Sequence, residues 1–236
     1  MNPRHLFMDE RLTGICVYCG APHPDTRDHV PSRVLLDKPY PPQQPVVGAC
    51  EKCNASFSLD EQYLACFIEC VIRGTVEVAG LQRTKIRRIL GDSPSLQHRI
   101  EACMRKDAAG NLLWQPEADR VRKIILKLAR GHVAYELYPI FEEPFEVILA
   151  PLPVLSKEEQ AAFALGGMTT GKLGLWPEIG SRAFSRALGK KPDHLDQQGE
   201  WLVVQPDRYR YAVVETGGVL VRMVLSEYLA CAVYWN

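Results

Sequence analysis

The sequence predicts an α+β fold in three successive regions, and three observations carry that expectation. Cys16-Val17-Tyr18-Cys19 and Cys50-Glu51-Lys52-Cys53 frame a proline-rich stretch in which no long helix can form. Apolar residues then recur at helical spacing through the middle of the chain. Beyond residue 140 the period changes, and short β-branched and aromatic runs between turn residues predict a mostly antiparallel β C-terminal region.

Taken in order, Pro22, Pro24, Pro31, Pro39, Pro41, Pro42 and Pro45 leave room for a short strand at 26–30, a loop at 39–45 and a second strand from Val46-Val47. Ser58-Leu59-Asp60-Glu61 is a capping-box pattern that predicts a helix from there to about Arg73, with Leu59, Tyr63, Phe67 and Cys70 on one side. A helix over 81–90 closes at Gly91, and Ser93-Pro94 opens another that runs to about Lys106. A turn with a short extended piece follows at 111–114. The next helix runs from Pro116 to about Tyr135, with Val121, Ile124, Ile125, Leu128 and Ala129 as its buried stripe. Arg120, Lys123, Lys127 and Arg130 fall largely away from that stripe. Residues 145–149 read as a strand, Ser156-Lys157-Glu158-Glu159 caps a short helix, and the glycine-rich stretch 166–195 reads as an irregular excursion. Strands over 201–204, 209–214 and 219–224 follow, with Gly217-Gly218 turning between the last two. The expected division is a unit over residues 1–76 and a region over 77–236, or one integrated fold.

With 47% apolar and 24% charged residues, the chain has the composition of a globular protein that buries a core. No apolar run approaches the roughly 20 residues of a membrane helix, and the N-terminus lacks the apolar stretch of a signal peptide. The expectation is a cytoplasmic protein without a membrane partner, whose cysteines are ligands and core thiols rather than disulfides. Net charge is zero, yet residues 80–131 hold 12 Lys/Arg against 5 Asp/Glu. That local excess fits an anionic partner, or a solvated helix face.

A two-residue spacer lets both sulfurs of a Cys-x-x-Cys pair reach one tetrahedral ion at about 2.3 Å. Cys16, Cys19, Cys50 and Cys53 are therefore expected to close a structural zinc site with no position left for water. A redox role is the competing reading, and two redox pairs in one such segment are hard to motivate. Cys66, Cys70, Cys103 and Cys231 sit among apolar residues and read as inert core thiols. Asp28 and His29 are consecutive on an extended segment, so their side chains point to opposite faces. Asn54 directly follows a zinc ligand, which fixes its position. The Asp28 carboxylate and Asn54 amide oxygen suit a hard cation such as Mg2+, and His29 suits removal of a proton from water.

The order CxxC, Asp28-His29-Val30-Pro31, CxxC-Asn54 resembles the zinc-bearing HNH endonucleases of the ββα-metal class, over about residues 14–60. The resemblance implies an N-terminal zinc-stabilised ββα unit and hydrolysis of nucleic-acid phosphodiester bonds, with DNA as the expected partner. It implies His29 as general base, Asp28 and Asn54 on a catalytic Mg2+ or Mn2+, and the four cysteines on zinc. The family usually carries an asparagine about five residues before the second CxxC; Pro45 stands here, beside Gln43 and Gln44. Either Gln44 substitutes or the proline itself stiffens the loop. Arg27, Arg33 and Lys52 lie near the motif as phosphate-contact candidates, or as ordinary surface charges. Asp60 and Glu61 are not assigned as ligands, His23 is expected in solvent, and His98 and His132 are read as structural. The aromatic residues of the C-terminal strands are expected mainly in a sheet core, with an oligomer or protein partner as the other use. The alternatives to an enzyme are a non-catalytic zinc module binding nucleic acid or a protein, and a regulated effector subunit such as those of phage defence.

Overall fold

The prolines and paired cysteines confine the N-terminal stretch to two short strands. In the computed structural model, which describes residues 13–42, 44–165, 181–189, 195–215 and 217–236, these are β1 (Thr26–His29) and β2 (Val46–Ala49). They pair antiparallel, Asp28 opposite Val47 and His29 opposite Val46, and β2 runs almost directly into helix α1 (Glu51–Arg73). Helices α2 (Thr84–Asp92) and α3 (Pro94–Glu101), the hairpin of β3 (Met104–Lys106) and β4 (Leu112–Trp114), and helix α4 (Ala118–Glu136) make up the middle of the chain. After β5 (Glu146–Pro151), α5 (Lys157–Leu165) and α6 (Arg182–Ala187) come β6 (Asp196–Gln198), β7 (Trp201–Gln205), β8 (Tyr209–Glu215), β9 (Val219–Leu225) and β10 (Leu229–Trp235). These last strands form a six-stranded sheet in the order β5-β10-β9-β8-β7-β6, with every pairing antiparallel. The α+β class and the antiparallel C-terminal sheet are as expected.

Three local differences have physical causes. Helix α1 begins at Glu51, seven residues before the Ser58 capping pattern, because Cys50 starts it: the Cys53 N–H approaches the Cys50 sulfur at 3.5 Å and the Asn54 N–H bonds the Cys50 carbonyl at 3.0 Å. Ser58 thus lies inside the helix, and Leu59 is 71% exposed rather than part of the buried side. Helix α3 stops at Glu101, since Asp107 accepts from the backbone N–H groups of Ala109 and Asn111 and turns the chain into a hairpin. Strand β10 went unmarked in the sequence because its turn uses Ser226 and Glu227 at φ of 54° and 45°, not glycine. A two-pronged pair from Arg210 to Glu227, both bonds 2.9 Å, holds that turn. The Ser156/Glu159 capping box forms in both directions, and the excursion expected over 166–195 lies mostly outside the described residues.

The chain divides into two compact units, one made of Met1–Ala55 and Leu126–Asn236 and the other of Ser56–Ile125. In the first, the buried Tyr209, Tyr211, Val221, Met223, Cys231 and Val233 line the sheet, and the C-terminal half of α4 packs on it. His132 stacks on Tyr211 with ring centroids 3.7 Å apart and bonds the Tyr209 hydroxyl at 2.9 Å. Tyr211 donates to Glu136 at 2.5 Å, and Arg186 pairs with the other oxygen of that carboxylate. The loop after β1 is tied to the same sheet, because Gln205 bonds both the N–H and the carbonyl of Asp37 and Arg208 meets the Asp37 carboxylate at 2.5 Å. In the second unit, Tyr63, Phe67, Ile86, Leu90, Ile100, Val121, Ile124 and Ile125 are buried, as the helical spacing of the middle region requires.

Candidate functional site

The first cysteine pair sits on a tight loop. Cys16 N–H bonds the Ala21 carbonyl at 2.7 Å and Gly20 N–H bonds the Cys16 carbonyl at 2.8 Å, a return that places Gly20 at φ +75°. Val17 N–H bonds the Gly48 carbonyl at 3.0 Å, which fastens this loop to β2. The second pair sits at the head of α1, and the four sulfurs converge to within 4.8 Å of one another. Cys19 and Cys50 are 3.8 Å apart, far beyond a disulfide bond and equal to the edge of a tetrahedron with arms of about 2.3 Å. Among the described residues no other group of three His, Cys, Asp or Glu side chains comes together in this way. The cluster fits a structural metal such as zinc. The Cys53 N–H pulls the Cys50 thiol down to about 7, whereas burial and the neighbouring sulfurs push Cys53 up. Four thiols this close need a cation before all can ionise. Burial holds Cys66 and Cys70 up at about 12, in keeping with inert core thiols.

The cluster fixes Asn54. Its amide Nδ2 donates to Thr26 Oγ1 at 3.1 Å and lies 3.5 Å from the Arg27 carbonyl, so the first turn of α1 is laid against β1. Side chains alternate along a strand, and Thr26 shares a face with Asp28 while His29 projects from the other. The burial follows that alternation, with Asp28 buried, Arg27 exposed and His29 between. Burial above all, then the Arg33 charge, holds the His29 ring below its ordinary pKa; Asp28 opposes them and Lys127 adds to them. Gln44 is buried and donates to the Pro31 carbonyl, while Arg33 reaches its Oε1 at 3.5 Å. Val30 N–H bonds the Pro45 carbonyl at 2.9 Å. Gln44 thereby braces the loop that follows the Asp28-His29 pair.

A third element completes the site, and its key residue was not foreseen. Lys127 on α4 is 2% exposed; its ammonium lies 2.6 Å from Asp28 Oδ2 and 2.7 Å from Ser32 Oγ. The Tyr18 hydroxyl donates to the same Asp28 oxygen at 2.6 Å. One turn on, Gly131 brings α4 so near β1 that a Cβ there would meet Val30 Cγ2 at 2.7 Å and Tyr18 Oη at 3.4 Å. The sequence placed Lys127 away from the buried stripe. That assignment fails because α4 is buried on nearly all sides from Lys127 to Leu137, one side on β1 and another on the sheet. The available signal was a single lysine inside the run Ile124-Ile125-Leu126-Lys127-Leu128-Ala129.

Of the other candidates, Arg27, Arg33 and Lys52 are exposed, as is His23. His98 is exposed on α3 and pairs with Glu101, and His132 is wholly buried. Within the second unit the basic excess is partly self-compensated: Lys123 and Arg120 meet Asp60 at 2.7 and 3.4 Å, Arg99 meets Glu117 at 3.4 Å, and Arg83 is buried. Arg87, Arg88 and Arg122 remain exposed. No described helix is long and apolar enough to cross a membrane.

No protein-family model, curated protein or solved structure matches this chain.

Proposed function

We propose that the chain is a metal-dependent endonuclease of HNH type that hydrolyses phosphodiester bonds, with DNA as its expected substrate. One observation carries the reading: a four-cysteine cluster at the head of α1 lays Asn54 against the Thr26–Asp28 face of β1, while His29 emerges from the opposite face. Two antiparallel strands and a helix in this order, with cysteines in these places, are what the resemblance implies.

Asp28 Oδ1 and the Asn54 amide oxygen receive no hydrogen bond among the described residues, and both are hard oxygen donors. They fit Mg2+ or Mn2+, which would stabilise the charge developing on the phosphate and the leaving oxygen. His29 is biased toward its neutral form, so its ring can accept the proton of an attacking water. Arg27, Arg33 and Lys52 stand exposed around the strand and can hold the phosphate backbone without reading sequence. Gln44 fills the bracing role that the family gives to an asparagine.

The test is a cleavage panel of plasmid and oligonucleotide substrates with Mg2+ and Mn2+, run beside His29→Ala. Cleavage that the substitution abolishes, with zinc content and fold unchanged, is the expected result; cleavage that survives it removes His29 as the base. A second reading, a non-catalytic zinc module that binds nucleic acid or a protein partner, is favoured by the buried Lys127–Asp28 pair, in which the lysine charge already offsets the Asp28 carboxylate. No cleavage under any condition of the panel, by protein with full zinc content, would favour that module.

A further inference from the structure

We infer that Lys127 is the counterweight of Asp28, so that this site takes a divalent cation only together with a phosphodiester. The inference rests on the metal site proposed above and assigns a role to a residue that the HNH pattern does not contain.

The geometry is specific. Asp28 Oδ2 is occupied twice, by the Lys127 ammonium at 2.6 Å and the Tyr18 hydroxyl at 2.6 Å. Its Oδ1 is left without a hydrogen bond among the described residues. Ser32 Oγ lies 2.7 Å from the ammonium and the Tyr18 ring 6.0 Å from it. The lysine is too deep to touch a substrate, at 2% exposure. It therefore acts through Asp28, as a positioning residue, in two ways. Two donors on one oxygen fix the carboxylate plane and leave the other oxygen available. The ammonium also cancels the charge that would otherwise draw a cation in.

The donor set is then one neutralised carboxylate and one amide. A divalent ion on Oδ1 gains nothing from net protein charge and has a buried ammonium just across the carboxyl group, where screening is weak. A phosphodiester supplies what is lacking, since its negative charge and oxygens complete the coordination that Mg2+ and Mn2+ prefer. Binding of cation and phosphate at this site should be mutually dependent, and an ion should not dwell there between substrates.

The experiment reads Mn2+ binding by electron paramagnetic resonance on the zinc-loaded full chain. It uses the His29→Ala background to prevent cleavage, with and without a short single-stranded DNA whose own Mn2+ binding is subtracted. With Lys127 present, the DNA should tighten Mn2+ binding at least about tenfold. Lys127→Met and Lys127→Gln should each bind Mn2+ at least about tenfold more tightly than the parent without any DNA. Asp28→Asn in the Lys127→Met protein should erase that gain. Equal Mn2+ affinity with and without DNA in the parent overturns the inference, as does a gain that survives Asp28→Asn. Should neither lysine variant reach full zinc content, the parent's response to DNA decides alone. The outcome separates from that of the cleavage panel: a cleaving enzyme that holds Mn2+ equally well without DNA refutes the counterweight and not the nuclease. A non-cleaving protein with DNA-coupled Mn2+ binding does the reverse.

Discussion

Gly131 shows how one missing side chain sets the distance between two elements. A methyl group there would lie 2.7 Å from Val30 Cγ2 and 3.0 Å from Val30 Cγ1. Val30 is fully buried and β-branched, so it has little room to swing away. Alanine in a helix interior is otherwise worth about 1 kcal/mol over glycine. Overpacking should outweigh that gain, and Gly131→Ala is expected to lower the unfolding free energy by about 1–2 kcal/mol in urea titrations. A second change, Val30→Ala, should recover part of the loss by making space; a more stable single variant would show that α4 does not press on β1 here. At this scale the sequence was legible in the cysteines that cluster and silent on the residues that place them. Cysteine spacing has a geometric meaning that survives without a structure, and so does an Asp-His pair on a strand. Lys127 and Gly131 take their meaning from β1, which lies about a hundred residues earlier in the chain, and no local pattern records such a contact.

Among elements, the junction of β2 with α1 is where the cysteine cluster acts. Cys50 is at once a sulfur of the cluster and the residue that starts the helix, and Asn54 follows in the first turn. A capping rule based on Ser58 therefore located the helix start too late, because the Cys50 sulfur was serving in place of a hydroxyl. Cys50→Ser should reduce bound zinc from one ion per chain to almost none. It should also cost at least about 3 kcal/mol of stability, because metal binding of this kind is folding free energy. Cobalt substitution gives the direct check, since thiolate-to-cobalt absorption should be strong in the parent and nearly absent in the variant. Amide exchange should accelerate in β1, β2 and the first turn of α1, while β8 and β9 stay protected. A zinc-free Cys50→Ser protein with an unchanged hairpin would refute the structural role of the cluster.

For the molecule as a whole, the unit that contains the candidate site is organised around α4, whose last turns present no exposed residue. Lys127 and Gly131 meet β1, while His132 and Glu136 meet Tyr209 and Tyr211 of the sheet. These contacts tie the sheet to the strand carrying Asp28 and His29 through one helix, with the buried His132 Nδ1 left without a hydrogen-bond partner among the described residues. His132 is fully buried, and burial, reinforced by the Lys127 charge, keeps its ring well below the ordinary histidine pKa. In the unfolded chain the same ring titrates near 6.5. Between that value and the lower folded value the unfolded state binds the extra proton, so acid favours unfolding. The contribution of neutral His132 is complete above about pH 6.5 and falls by at most about 1.4 kcal/mol per pH unit below it, until the folded ring itself protonates. Denaturant titrations at pH 7.5, 6.0 and 5.0 should show this slope, superimposed on that of the carboxylates. His132→Phe keeps an aromatic ring against Tyr211 but cannot titrate. It is expected to be less stable at neutral pH, because the Tyr209 hydroxyl loses its partner. Its stability should nevertheless fall less steeply with acid than the parent's. Parallel slopes in the two proteins would mean that His132 protonates as readily in the folded chain as in the unfolded one, and that the seam between helix and sheet is open to water.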